Sequence, residues 1–153
     1  MHLNRLHTAL SAACMLICNL TFAQKSTSVE FLNSGKIAPT TLPFSEAVKV
    51  NGTLYLSGQL GNIPGTMKLV PGGMKEEARQ TMDNIKTVLE AQGYTMKNLV
   101  KCTVMLADIS EWSAFNDIYK TYFDTHYPAR SAFATNGLAL GARVEVDCIA
   151  VAN

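Results

Sequence analysis

The chain has 153 residues, 48% of them apolar and 16% charged, which describes one domain with a real core and excludes a disordered chain. A formal net charge of +1 and the lack of any long basic run argue against nucleic acid as a partner. The expected partner is a small molecule or another protein chain.

Residues 1–23 read as a secretory signal peptide. Arg5 stands in a basic start, a short apolar middle follows, and Thr21-Phe22-Ala23 gives a small-x-small exit before the polar Gln24. Cleavage is expected after Ala23, with a periplasmic or secreted mature chain. The apolar middle is too short and interrupted for a stable membrane span. Cys14 and Cys18 leave a lipid anchor open, although neither has the usual setting for one. Residues 24–35 are polar and aperiodic and read as a linker, so the domain is expected over 36–153.

Within the domain, residues 47–50 and 53–57 flank Asn51-Gly52, the dipeptide that supplies two positive φ angles to a type I′ hairpin turn. A Gly/Pro-rich stretch to Gly73 has room for one short strand at 66–70. Residues 74–92 form a predicted helix, with Ala78, Met82, Ile85 and Leu89 on one face and Gly93 as its stop. A strand is predicted over 98–108 with Val100, Cys102, Val104 and Leu106 on one side. Ser110 is the predicted cap of a second helix, whose stripe is Trp112, Phe115, Ile118, Tyr119 and Tyr122. Pro128 ends that region, and strands follow at 131–135 and 142–151.

This order implies an α+β fold, a single sheet with two helices on one face. Along the last strand Val144, Val146, Cys148 and Ala150 share the core parity, and Arg143, Glu145, Asp147 and Ile149 share the other. Cys102 and Cys148 both fall in core-facing sets, so two buried thiols are the simplest reading; a disulfide needs neighbouring strands in register. The opposite face mixes charge with Met105, Ile149 and Val151, which suits cover by another subunit.

Metal chemistry finds no ligand spacing, because His126 is the one histidine after Ala23 and no Cys-x-x-Cys is present. No Gly-x-Ser-x-Gly elbow and no nucleotide-binding glycine pattern occur, so no cofactor is expected. Two residues remain. Arg130, just after Pro128, can project a guanidinium suited to bidentate capture of a carboxylate, or it can be a surface arginine paired with an acid. Glu145 sits within a strand, where glutamate is disfavoured, and an inter-subunit ion pair or a general base would each explain it.

Leu42-Pro43-Phe44-Ser45-Glu46-Ala47-Val48, Leu56-Ser57-Gly58-Gln59, the segment Asn84 to Gly93, Tyr127-Pro128-Ala129-Arg130-Ser131 and Ala142 to Ala150 together resemble the RidA/YjgF family over residues 36–152. The resemblance implies a chorismate-mutase-like subunit, a homotrimer with sites between subunits, and hydrolysis of reactive 2-imino or enamine acids to 2-keto acids and ammonia. It also implies that Arg130 binds the substrate carboxylate and Glu145 positions or activates the water. Ser57 and Gly58 would line the pocket, with Asn116 near the second helix. The pattern departs at Phe44, where active deaminases of the family usually have tyrosine, and at Ala132, where they often have cysteine or threonine. Phe44 removes a hydroxyl, while Ala132 retains its backbone contacts. A non-catalytic ligand-binding or chaperone-like trimer is the alternative; ribonuclease activity has little support from a near-neutral chain.

Overall fold

Asn51 and Gly52 adopt φ of 48° and 84°, the left-handed pair the turn requires, and they join β2 (Ala47–Val50) to β3 (Thr53–Leu56). The computed structural model that shows this describes residues 26–152; the signal-peptide expectation, with Cys14 and Cys18, lies outside them. The remaining elements are β1 (Val29–Leu32), β4 (Gln59–Leu60), α1 (Met74–Ala91), β5 (Leu99–Leu106), α2 (Trp112–Tyr119), β6 (Ala129–Ala134) and β7 (Val144–Val151). The sheet order is β1-β2-β3-β7-β5-β6, with β4 also on β7. All pairings are antiparallel except β5 with β6. The expected α+β architecture, with two helices on one sheet face, is present.

Helix α1 carries Glu76 and Glu77 in its first turn, where acids suit the positive end of the helix dipole, and Gly93 closes it with φ 78°. Its face of Ala78, Met82, Ile85, Val88 and Leu89 is fully buried against Leu54, Val104, Val144, Val146 and Ala150 of the sheet. Two buried asparagines pin the loop after β4 to this helix. Asn84 Nδ2 donates to the carbonyls of Leu60 (2.9 Å) and Asn62 (3.0 Å), and Asn62 Nδ2 donates to those of Ile37 and Thr66 (both 3.0 Å). Such amides satisfy loop carbonyls that no strand pairing reaches.

Four expectations about the helices and strands need correction. Residues 29–32, placed in the linker, form the edge strand β1; Val29, Glu30 and Phe31 stay exposed there, so no alternating burial pattern marks the strand. The strand expected at 66–70 reduces to a single bridge between Asn62 and Leu69, because the asparagine amides already hold the loop. Val100 faces solvent: an irregularity between Leu99 and Lys101 shifts the parity of β5 and puts Leu99 in the core. Asp108, not Ser110, caps the second helical region; its carboxylate accepts from the Ser110 backbone N–H at 2.9 Å, which holds its pKa below the usual value.

Cys102 and Cys148 are directly opposite in the β5–β7 register, with Cα atoms 4.1 Å apart, and they form a disulfide rather than two thiols. The bond links residues 46 apart, and both cysteines are buried. Constraining an unfolded loop of that length stabilises the fold by about 4 kcal/mol. Replacing both cysteines with alanine is therefore expected to lower the free energy of unfolding by about that amount in a denaturant titration.

Candidate active site

Arg130 leaves β6 on the helix side of the sheet, paired in register with Cys102, and its side chain lies against α2. The spacing of α2 brings Trp112, Asn116 and Tyr119 to that side. Asn116 Oδ1 accepts from Arg130 NH2 at 2.7 Å. The guanidinium carbon lies 4.8 Å from the Trp112 ring centroid and 4.6 Å from that of Tyr119, so two aromatic faces hold the cation. Among the described residues no carboxylate pairs with Arg130, which rules out the reading of a surface arginine paired with an acid in the same subunit. A planar cation fixed in this way can receive a carboxylate on its remaining N–H groups. Asn116, Tyr119, Tyr127, Pro128 and Arg130 line the cleft.

Burial pushes the Tyr119 phenol up to about 12, only partly opposed by the nearby Arg130 charge. Its hydroxyl is buried without a hydrogen-bond partner among the described residues. Trp112 and Tyr119 entered the sequence reading only as an apolar stripe; an aromatic at i and i+7 flanking an asparagine at i+4 was the available signal for their second role.

Glu145 lies on the other face of the sheet. It pairs in register with Met105 on β5 and Leu60 on β4, and its side chain is half-buried. Burial pushes its carboxyl up from the ordinary glutamate range, and the neighbouring Asp147 charge adds to the rise. No hydrogen bond or ion pair to this carboxylate occurs among the described residues. The reason it fits is Gly58: a Cβ there would overlap Glu145 Oε1 and come within 2.9 Å of its Cδ. Gly58→Ala is expected to displace the carboxylate, lowering activity by roughly tenfold or more with little change in melting temperature. Gly61→Ala gives the opposite result, because its Cβ would meet the Glu77 backbone at 2.7 Å. That clash is expected to cost about 3 kcal/mol of stability. Thermal melts and rates on both variants check the pair.

The other expected residues divide between these two places. Phe44 and Gly58 line one groove, and Gly58 also lies against Glu145. Ser57 spends its hydroxyl on the Ser45 carbonyl (2.7 Å), so it holds the strand end in place. Ala132 shares the Arg130 face of β6 and packs against the core. One subunit therefore places a cation with Asn116 and a carboxylate beside Gly58 on opposite sheet faces. It does not bring Arg130 and Glu145 together.

A model of the family described as endoribonuclease L-PSP matches residues 35–152. The goat (Capra hircus) protein named 2-iminobutanoate/2-iminopropanoate deaminase is 50% identical over 115 residues, 74% of this chain and 84% of its own. The crystal structure of RidA from an Antarctic Psychrobacter species superposes with a TM-score of 0.76 at 36% identity, covering 80% of this chain and 99% of that one. The Escherichia coli protein TdcF with bound serine gives 0.75 at 26% identity, over 81% and 99%. Fold, motifs and matches agree, and the chain belongs to the endoribonuclease L-PSP family, which is the RidA/YjgF family that its motifs resemble.

Proposed function

We propose that the chain hydrolyses reactive 2-imino and enamine acids to 2-keto acids and ammonia, in sites that two subunits of a homotrimer complete. The observation that carries this reading is the pair of uncommitted charges: among the described residues, a guanidinium without an acid and a carboxylate without a base, on opposite faces of one subunit. A second copy can bring its Glu145 face to the Arg130 cleft. Exposed Tyr55, Phe133 and Val151 on the Glu145 side of the sheet support such cover. The deaminase names of the relatives and the serine bound by TdcF support a small 2-amino or 2-imino carboxylate as ligand.

The chemistry asks little of the protein. Arg130 holds the carboxylate and fixes the C2 carbon. Glu145 takes a proton from water as the water oxygen bonds to C2 and the C=N electron pair moves to nitrogen. Glu145 passes that proton to the nitrogen, giving the carbinolamine. It then takes the proton of the C2 hydroxyl and delivers it to the nitrogen as the C–N bond breaks, so the C=O of the keto acid forms and ammonia leaves. Glu145 is returned ionised. A raised pKa makes it a stronger base than an exposed glutamate. Arg130, Asn116, Glu145, Gly58 and the backbone at Ala132 are the proposed site residues.

Purified protein is expected to accelerate ammonia release from freshly generated 2-iminopropanoate or 2-iminobutanoate, and a rate equal to buffer across several imino acids sinks the reading. The alternative, a non-catalytic ligand-binding or chaperone-like trimer, is favoured instead by tight binding without turnover. We also infer export. The basic start, the apolar middle and the Ala23 exit support it, and the Cys102–Cys148 bond suits an oxidising compartment. Amino-terminal sequencing of protein recovered from cells should begin at Gln24; an intact Met1 contradicts it.

A further inference from the structure

We propose that the groove beside Glu145 receives the substrate's side chain, so that the enzyme favours 2-imino acids with large apolar side chains over the smallest ones; this rests on the deaminase reading above. Gly58 and Leu60 connect the groove to the reacting pole: Gly58 lies against the Glu145 carboxylate, and Leu60 is its cross-strand neighbour. From there the groove continues along Phe44, Met67 and Leu140, which are 53%, 43% and 49% exposed. Three large apolar side chains left open in one concave place, next to a base, form a surface that gains by burying hydrocarbon.

Several polar groups of the same groove are already committed. Asn62 Nδ2 is spent on the carbonyls of Ile37 and Thr66. Asn33 Oδ1 accepts from the Glu46 N–H at 2.9 Å, and Glu46 Oε2 accepts from the Ser34 N–H at 2.9 Å. These bonds fix the walls and leave the groove's surface mainly apolar. The buried Glu46 carboxylate also opposes substrates with acidic side chains. Phe44 adds a ring without a hydroxyl, so it contributes area and no hydrogen bond.

Leu140 supplies a separate sign. It holds φ 60°, ψ 9°, a left-handed conformation that a leucine adopts only at a cost. Among the described residues, the one other non-glycine with positive φ is Asn51, in the hairpin turn. Backbone strain kept at a groove beside a reactive group marks a presented side chain.

The test compares imines generated in situ from alanine, 2-aminobutyrate, leucine, phenylalanine and glutamate. In parallel, equilibrium binding is measured for the stable keto acids pyruvate, 2-oxobutanoate, 4-methyl-2-oxopentanoate, phenylpyruvate and 2-oxoglutarate. Each buried methylene is worth roughly fourfold, so leucine- or phenylalanine-derived imines should exceed the alanine-derived one by about tenfold or more in kcat/KM. Binding should follow the same order, with the acidic member weakest. Phe44→Ser and Leu140→Gly should each bring the leucine-to-alanine ratio towards one. Binding that rises with side-chain size supports the groove even where no imine is turned over, which separates failure of this inference from failure of the deaminase reading. Turnover and binding that are flat or fall with side-chain size overturn it. So does an unchanged ratio in both variants; if light scattering then shows smaller assemblies, the groove is a subunit contact.

Discussion

Replacing Arg130 with alanine is expected to lower kcat/KM for 2-iminopropanoate by about 10²–10³-fold, measured as ammonia release, with only a small fall in melting temperature. The size follows from the loss of a charge-assisted, two-point contact, worth about 3–4 kcal/mol where it is shielded from water. The small structural effect follows from what the side chain touches. One hydrogen bond to Asn116 and two aromatic faces are lost, and no buried acid is stranded. Arg130→Lys should recover only part of the activity, because an ammonium lacks the planar fork that a carboxylate matches. Trp112→Ala should act in the same direction more weakly, raising KM for the imine more than it lowers kcat, since the ring orients the guanidinium.

Glu145→Gln is expected to cut kcat about 10²–10⁴-fold, the usual contribution of a positioned general base, and to leave the fold no less stable at neutral pH. The stability half follows from the direction of its pKa shift. Burial and Asp147 raise the folded-state pKa above the ordinary glutamate value of 4.5. Between the unfolded and folded values the folded state therefore binds more protons, and this residue's contribution to stability declines as pH rises through that window. The glutamine variant should lack that decline, which melting temperatures across the weakly acidic range would reveal. In the wild type, kcat should fall as pH drops through the same raised pKa, because protonation removes the base. A stabilised but inactive Glu145→Gln is the pattern of a group kept for chemistry rather than for packing.

The regular elements were legible where a periodicity survived burial on one face. The hairpin at Asn51-Gly52, the four-three spacing of Ala78, Met82, Ile85 and Leu89, and the alternation from Val144 to Ala150 each matched what the structure contains. β1 lacked that alternation, because an edge strand with exposed Val29, Glu30 and Phe31 obeys no burial rule. The shift at Val100 was invisible for a related reason: Leu99 and Val100 are both apolar, and only the pairing decides which faces inward. Register likewise turned two expected thiols into the Cys102–Cys148 bond.

The site was legible residue by residue but not in its arrangement. Arg130 and Glu145 each stood out from the chain, and parity along β7 placed Glu145 on the open face, yet nothing in the chain says that β6 sends Arg130 to the helix face. The aromatic faces around Arg130 carried the same helical spacing as core residues, so their role in holding a cation became visible only with the side chains in place.

The proposed composite site has one direct test, which uses the two inactive variants together. Arg130→Ala and Glu145→Gln proteins are mixed, dissociated and reassembled, and the deaminase rate is compared with that of each variant alone. If one subunit supplies Arg130 and its neighbour supplies Glu145, each mixed ring contains one intact site, and random reassembly should restore about a quarter of the wild-type rate. A rate no higher than the average of the two separate variants contradicts the account, because it would put both residues to work within the same subunit or neither to work at all.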